Sequence, residues 1–209
     1  MDLEFAPQEE AFRRGGVEYS RSVLLVRLPR AFCAGADLHE IWNGGMASGG
    51  SAATSGGGEP PLTDTYFREE YALNAAIGGC PKPQVSVWDG IVMGGGVGVS
   101  IHGAYRVCTE KAMFAMPETN IGLFPDVGAT HFLSRLPGEL GTYLALTGAR
   151  LGASDLMYTG LATHFVPAAK IEGLEASLQG CATRDDVAAA LVALGGGASA
   201  DASEQKVPP

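Results

Sequence analysis

The hydrophobic positions of this chain form short continuous apolar runs, which alternate with longer segments of helical spacing. Continuous apolar runs are typical of parallel strands that are buried on both faces. Apolar positions repeating every 3.6 residues, followed by Gly or Pro, indicate helices. The alternation predicts an α/β layered fold with a mainly parallel sheet. Strands are predicted at 23–26, 84–88, 106–109, 112–116 and 164–166, and helices just after 37 and at 64–77, 97–102, 130–136, 139–147, 154–159, 168–178 and 184–194.

Three segments lack such a pattern. Residues 1–20 are charged and irregular, residues 43–61 are rich in Gly, Ser and Ala, and residues 196–209 show no periodicity. A Gly/Ser-rich stretch cannot bury a core, so 43–61 is predicted to be a flexible insertion and 196–209 a loose tail. The length of 209 residues suits one core, so we expect a single domain over residues 1–195.

Composition excludes several classes of function. Hydrophobic residues make up 46% and charged residues 18%, as in ordinary globular proteins. No apolar run approaches the ~20 residues of a membrane span, and the net charge of −9 argues against nucleic-acid binding. The N-terminus resembles neither a secretory signal nor a transit peptide. The cysteines and histidines are scattered along the chain, so we expect core roles for the cysteines, structural roles for the histidines and no metal site. Unpaired cysteine spacing also predicts a reducing compartment. These residues are Cys33, Cys80, Cys108, Cys181, His39, His102, His131 and His164.

Two glycine-containing junctions are candidates for binding an oxygen atom. Gly94-Gly95-Gly96 follows an apolar run, and no Lys-Ser/Thr follows it, so it is not a P-loop. Small residues there allow either close strand–helix packing or backbone amides that face a ligand. The segment AFCAGAD at 31–37 has the same two interpretations. If the amides of both junctions converge on one oxygen, they form an oxyanion hole.

Three carboxylates are candidates for acid–base chemistry. Glu70 shares an apolar helical stripe with Tyr66, so it is either a site residue or half of a buried salt bridge. Glu118 follows a predicted strand, where the ligand crevices of α/β sheets lie. Asp126, in FPDVG, is either a site residue or a helix N-cap.

Five motifs in this order resemble the crotonase superfamily of acyl-CoA enzymes. The resemblance covers about residues 22–195 apart from the insertion. It implies a spiral of ββα repeats that binds an acyl-CoA thioester, with CoA as part of the substrate and no other cofactor or metal. The motifs are AFCAGAD, FREEYALNAAI, KPQVSVWDGIVMGGGVGVSIHG, FAMPETNIGLFPDVGATHFLSRL and LALTGARL.

The resemblance also implies roles for individual residues. The oxyanion-hole amides would be those of Ala36 and Gly95. Glu118 matches the family's catalytic carboxylate, and Asp126 matches its partner near the substrate hydroxyl. Glu70 matches a further carboxylate of the substrate pocket, so substrate binding is expected at Glu70, Gly95, Glu118 and Asp126.

One position indicates the subgroup. Typical hydratases of this superfamily carry a second catalytic glutamate three residues after the middle glycine, where this chain has Gly98. Together with FPDVG, this difference implies the hydrolase subgroup, and we expect hydrolysis of a short 3-hydroxyacyl-CoA, 3-hydroxyisobutyryl-CoA of valine breakdown, to the free acid and CoA. The alternatives are an enoyl-CoA hydratase or isomerase, and a catalytically inactive fragment that binds acyl-CoA.

The resemblance carries three further expectations. Members of the family begin with a strand and a helix and end with further helices. These segments have no counterpart in this sequence, so we expect a chain truncated at both ends. The family also suggests the mitochondrial matrix and a homo-oligomer, with neither membrane nor nucleic acid as a partner.

Overall fold

A computed structural model describes residues 17–19, 23–27, 31–47 and 62–195. A five-stranded sheet of order β1-β2-β3-β5-β7 crosses the molecule, and β4 pairs with β6 in a second, two-stranded sheet. The described pairings between these strands are parallel except that of β1 with β2, which is antiparallel. The strands are β1 (Val17–Tyr19), β2 (Leu24–Val26), β3 (Gln84–Trp88), β4 (Ile91–Met93), β5 (Tyr105–Cys108), β6 (Met113–Ala115) and β7 (His164–Phe165).

Helices connect and cover these strands. The helices Leu140–Thr147 and Ala153–Thr159 end at glycines in the left-handed conformation, Gly148 and Gly160, as their sequences predict. The helices are α1 (Leu38–Ala47), α2 (Leu62–Gly78), α3 (Gly95–Ile101), α4 (Ala129–Phe132), α5 (Leu140–Thr147), α6 (Ala153–Thr159), α7 (Leu174–Leu178) and α8 (Arg184–Gly195), with 3₁₀ turns at Glu118–Ile121, Leu133–Arg135 and Ala168–Gly173.

Strand β3 is buried along its whole length and separates two hydrophobic clusters. Val85 belongs to the cluster that includes Leu174 of α7 and Leu191 of α8. Trp88 belongs to the other cluster and lies 5.9 Å from Phe114 of β6 between ring centroids. Burying an apolar side chain of this size contributes about 1.5–3 kcal/mol, so both layers stabilise the central strand.

The small sheet fixes the two glycine junctions against each other. Cys33 forms a parallel bridge with Val92 of β4. Its amide donates to the Ile91 carbonyl at 3.1 Å, and its carbonyl accepts from the Met93 amide at 2.9 Å. The segment after Cys33 therefore runs beside the end of β4, next to the triple glycine.

Most predicted elements are confirmed, and β3 has the predicted bounds. Strand β1 lies in a segment predicted to be irregular, and β4 was not predicted because three apolar residues between glycines carry too little pattern. The predicted helices 130–136 and 168–178 are each divided between α-helix and 3₁₀ turn. Helix α2 begins two residues before its predicted start.

Helix α1 continues to Ala47 and so includes the first residues of the predicted insertion at 43–61. Residues 48–61, 1–16 and 196–209 lie outside the described residues, so the insertion and tail there stay predictions, as do the domain boundaries.

Membrane spans, metal-binding groups and cysteines can be described within the ranges given above. There, no helix is long and apolar enough to cross a membrane. No group of three His, Cys, Asp or Glu side chains in the same ranges could hold a metal ion. The four cysteines are free thiols: Cys108 and Cys181 are buried, and Cys33 and Cys80 are half-buried.

Candidate active site

A cavity of about 550 Å³ lies where the carboxyl ends of β4 and β6 meet helices α1 and α2. Ligand crevices of α/β sheets commonly occupy this position. Its wall is mainly apolar, and its polar side chains include Tyr66 and three carboxylates. The apolar lining includes Leu38, Ile41, Trp42, Phe67, Ile121 and Leu123.

The two glycine junctions meet at one wall of this cavity. Gly35 has a φ of 104°, which favours glycine, and a Cβ atom on it would lie 3.4 Å from the Gly95 nitrogen. A Cβ atom on Gly96 would collide with the carbonyl of Cys33. Only glycine therefore permits the close approach of the two backbones, as the packing interpretation predicts. Gly35, Gly94 and Gly95 also line the cavity, and the orientation of their amides toward a ligand stays a prediction.

The amide nitrogen of Ala36 lies close to Gly95. A Cβ atom on Gly95 would be 3.6 Å from the Ala36 nitrogen. Gly95 is the first residue of α3, and the amides of a first helical turn have no acceptor within their helix. Both residues line the cavity. This pair of donors can stabilise a negative charge that develops on one ligand oxygen.

Glu118 lies on one side of this amide pair. It begins the 3₁₀ turn after β6 and Pro117, and only 5% of its surface is exposed. A Cβ atom on Gly94 would lie 3.1 Å from Glu118 Oε1. Its Oε2 is buried and has no hydrogen-bond partner within the described part of the chain. Burial, with a smaller contribution from the charge of Asp126, raises the pKa of Glu118 to about 7, against an opposing hydrogen bond from its own backbone.

Asp126 lies on the loop that leads into α4 and also lines the cavity. The N-cap alternative is wrong, because the N-cap residue of α4 is Gly128 and no side chain caps that helix. Asp126 Oδ1 is buried and lacks a hydrogen-bond partner among the residues described. Burial raises the pKa of this carboxyl above its ordinary value. A buried carboxylate with an unused acceptor is suited to bind a hydroxyl of a ligand.

Glu70 approaches the amide pair from α2. It is 8% exposed, as its place on the apolar stripe predicts, and a Cβ atom on Gly95 would lie 3.1 Å from its Oε1. The Tyr66 hydroxyl donates to the same Oε1 at 3.1 Å. Burial and the charges of Glu70 and Asp126 raise the pKa of Tyr66, so this phenol remains a donor at neutral pH.

The structure brings every predicted site residue to one cavity: Ala36, Glu70, Gly95, Glu118 and Asp126. The predicted roles of these residues stay predictions. Tyr66 was not predicted as a site residue, although it lies one helical turn before Glu70, and that spacing was the available signal.

Gly98 lies in a packed interior. A Cβ atom there would be 2.7 Å from Cβ and Cγ1 of Val127 and 3.0 Å from Oδ1 of Asn74. Real Cβ atoms are not found at 2.7 Å from carbon, so this backbone arrangement accommodates no side chain at residue 98. The cavity consequently has no carboxylate from this turn of α3.

The fold is that of an α/β protein with a cavity lined by backbone amides and buried carboxylates. The chain belongs to the enoyl-CoA hydratase/isomerase family, whose sequence profile matches residues 19–207. Within that family it is similar to the mitochondrial 3-hydroxyisobutyryl-CoA hydrolase of Xenopus laevis, with 54% identity over 149 residues that are 71% of this chain and 36% of that protein. The human protein of the same name is 52% identical over 149 residues, with the same coverage of 71% and 36%.

Solved structures show the same fold. The crystal structure of a carnitinyl-CoA dehydratase from Mycobacterium thermoresistibile matches with a TM-score of 0.69 and 43% identity, covering 82% of this chain and 46% of that chain. The chain spans little more than a third of the length of the two curated hydrolases that it matches.

Proposed function

We propose that this chain forms the catalytic cavity of a thioester hydrolase that converts 3-hydroxyisobutyryl-CoA to 3-hydroxyisobutyrate and CoA. The observation that supports it most is the buried carboxylate of Glu118 against Gly94, one residue from the amide pair of Gly95 and Ala36. Thioester hydrolysis needs both parts at one carbonyl, because charge develops on its oxygen while a base handles water. The names of the two curated relatives support the choice of substrate.

In the first step the thioester oxygen accepts hydrogen bonds from the Ala36 and Gly95 amides. Glu118, in its ionised form, removes a proton from a water molecule, whose oxygen adds to the carbonyl carbon. The carbonyl π electrons move onto the oxygen, and the two amides stabilise the resulting oxyanion. Removing one such donor typically costs about 10²–10³ in rate, so the amide pair is expected to contribute much of the catalysis.

In the second step the oxyanion collapses and the carbon–sulfur bond breaks. The electron pair of that bond leaves with the CoA sulfur, which takes the proton now held by Glu118. A carboxyl pKa of about 7 suits both steps, because the group is substantially ionised at neutral pH and still acidic enough to return the proton.

Direct attack by Glu118 is the other route to the same products. Its carboxylate oxygen would add to the thioester carbon, expel CoA thiolate and leave a mixed anhydride, which water then hydrolyses. A single turnover in H₂¹⁸O separates the two routes. After attack by Glu118, water that adds to the carboxyl carbon of Glu118 leaves ¹⁸O in the peptide that contains this residue. General-base catalysis places ¹⁸O only in the product acid.

The remaining polar groups are proposed to bind the 3-hydroxyl of the substrate. Asp126 Oδ1 is a buried acceptor with a raised pKa. Glu70 lies next to Gly95, held by the Tyr66 hydroxyl. A hydroxyl donated to a buried carboxylate favours a 3-hydroxyacyl group over the acyl group that lacks it, because an unpaired buried acceptor is costly.

Hydration of an enoyl-CoA is the second candidate, and the 43% identity to a carnitinyl-CoA dehydratase favours it. The packing at Gly98 opposes it, since the second carboxylate of typical hydratases has no room there. Crotonyl-CoA discriminates the two: a hydratase consumes its double bond without releasing thiol. Stabilisation by CoA without either turnover would indicate the third possibility, a chain that only binds acyl-CoA.

The decisive experiment measures thiol release from 3-hydroxyisobutyryl-CoA by the purified chain and its Glu118→Gln variant. The proposal expects release that falls by at least about 10²-fold in Glu118→Gln. Glu69→Gln is the matched control, because it makes the same substitution at an exposed glutamate. This variant should keep full activity. A folded wild-type chain without thiol release would contradict hydrolysis by this chain.

Location and assembly complete the proposal. The relatives are named as mitochondrial proteins, and we place the reaction in the mitochondrial matrix on that basis. The acyl-CoA substrate is the proposed small-molecule partner, CoA is consumed as part of it, and no metal or further cofactor enters the two steps above. A homo-oligomer is proposed from the family resemblance, and sedimentation of the purified chain tests it.

A further inference from the structure

Val127, next to Asp126, has an unusual backbone conformation. Among the described residues it is the one non-glycine residue with positive φ, at 45°. A β-branched residue in this region costs of order 1–3 kcal/mol, and the conformation persists only where surrounding contacts enforce it. Val127 is fully buried, and Gly128 after it also has positive φ, at 79°.

Two contacts from α3 and its end enforce this conformation. The side chain of Val127 fills the space above Gly98, where a Cβ atom would lie only 2.7 Å away. His102, which follows α3, contacts the Val127 carbonyl through Nε2 at 2.8 Å. Because a carbonyl only accepts, the imidazole carries its proton on Nε2 and donates it.

The imidazole is itself held from two sides. A Cβ atom on Gly128 would lie 2.8 Å from His102 Cε1, so the glycine lets the ring lie flat against the loop. On another side the ring contacts Phe132 of α4 edge-on, with centroids 6.4 Å apart. The donor therefore has little freedom to move away from the Val127 carbonyl.

We infer that His102 is a positioning residue for Asp126: its Nε2–H holds the strained Val127 peptide so that the adjacent carboxylate faces the acyl cavity. The packing of Val127 on Gly98 also holds this loop from the side of α3, and the Tyr71 hydroxyl of α2 approaches the backbone amides of Val127 and Gly128. His102 does not line the cavity. The Val127 carbonyl that it contacts belongs to the peptide group between Val127 and Gly128, so its effect on substrate passes along the backbone of Val127 to Asp126.

The test begins on the free protein, without substrate. Chain labelled with ¹³C at the aspartate carboxyl carbons is titrated by NMR, and Asp126→Asn identifies the Asp126 signal. Burial raises the pKa of Asp126 in the wild type. We expect His102→Leu to lower this pKa toward the ordinary value of about 3.9, because the released loop exposes the carboxyl to water.

A matched pair of variants separates the hydrogen bond from the shape of the ring. His102→Gln can place an amide N–H where Nε2–H lies, and we expect it to keep the raised pKa. His102→Asn is polar but one bond too short, and we expect it to behave like His102→Leu. This pair also decides the question if His102→Leu fails to fold.

Kinetics supply the second readout, and only this one rests on the proposed function. We expect kcat for thiol release to fall about 10- to 100-fold in His102→Asn and little in His102→Gln, because misplacing a group that positions the substrate by about 1 Å has effects of this size. In the Asp126→Asn background the substitution should have almost no further effect. Thiol release absent from the wild type would contradict the hydrolase proposal alone, because the NMR titration still measures the position of Asp126. A folded His102→Asn chain with the wild-type titration of Asp126 would overturn the positioning role.

Discussion

Glu118 and Gly94 are in contact at the wall of the cavity, where a Cβ atom on residue 94 would lie 3.1 Å from Glu118 Oε1. A side chain at position 94 would therefore force the carboxylate to move by a few tenths of an ångström. Gly94 also has a φ of 51°, in the region that favours glycine. The backbone conformation and the position of the carboxylate therefore both favour glycine at position 94.

Gly94→Ala should impair activity more than stability. The strained φ is expected to cost about 1 kcal/mol of unfolding free energy. The displaced carboxylate is expected to lower kcat by about 10²-fold, since small misplacements of a reacting group have large effects on rate. Urea unfolding and thiol release from 3-hydroxyisobutyryl-CoA measure the two quantities. Gly152→Ala is the control, because a Cβ atom there meets nothing within 4 Å, and a Gly94→Ala chain as active as this control would contradict the prediction.

The rate of hydrolysis should depend on the ionisation of Glu118. Its raised pKa of about 7 predicts that kcat/KM rises as the pH increases through neutrality and then levels off. Asp126→Asn should shift this apparent pKa downward, because the charge of Asp126 contributes to raising it, but burial should keep it above the ordinary value. Thiol release measured from about pH 5 to 9 reports both effects. A profile that is flat across neutral pH, in a folded chain, would exclude Glu118 as the titrating base.

The raised pKa of Glu118 also predicts an effect on stability. Between the reference value of 4.5 and about 7, the folded chain binds more protons at this carboxyl than the unfolded chain does, so stability falls as the pH rises through that window. Glu118→Gln removes this penalty. It should stabilise the chain by about 1–2 kcal/mol at pH 8, less than the full shift implies, because solvent screens part of the charge.

Unfolding in urea at pH 4 and pH 8 checks this effect. The gain from Glu118→Gln should be present at pH 8 and nearly absent at pH 4, where the carboxyl is protonated in both states. Glu69→Gln again serves as the control, since Glu69 is exposed and should show no such dependence. Equal effects of Glu118→Gln at the two pH values would mean that burial of an ionised carboxyl is not the cause.

The sequence indicated the site through local features that survive in the structure. Gly35 and Gly96 could be recognised because a positive φ at the first and the close approach of the Cys33 backbone to the second both require glycine. Glu70 could be recognised because a carboxylate on an apolar helical stripe must be buried. Strand β3 could be predicted because Val85, Val87 and Trp88 give it the apolar, β-favouring composition of a buried strand.

The missed features depend on contacts between distant segments. The hydrogen bond from His102 to Val127 joins residues 25 positions apart, and no periodicity encodes it. The positive φ of Val127 contradicts the local preference of a β-branched residue, so sequence reasoning favours the wrong conformation there. Strand β4 has three residues, and its identity comes from pairing with β6 rather than from its own pattern.

Gly98→Ala should destabilise the chain, although Gly to Ala within a helix ordinarily stabilises by about 0.5–1 kcal/mol. The added methyl would overlap Val127 Cβ and Cγ1 and approach Asn74 Oδ1, and overpacking of this kind costs about 1–3 kcal/mol. Val127→Ala removes the overlapping Cγ1 atom but keeps Cβ, so the double variant should recover only part of the loss. The difference from additivity, measured by urea unfolding of the four chains, isolates this contact. Gly173→Ala, whose Cβ would make only an ordinary 3.8 Å contact with Leu194, should be neutral or stabilising, and a Gly98→Ala chain that matched it would show that the loop of Val127 moves aside freely.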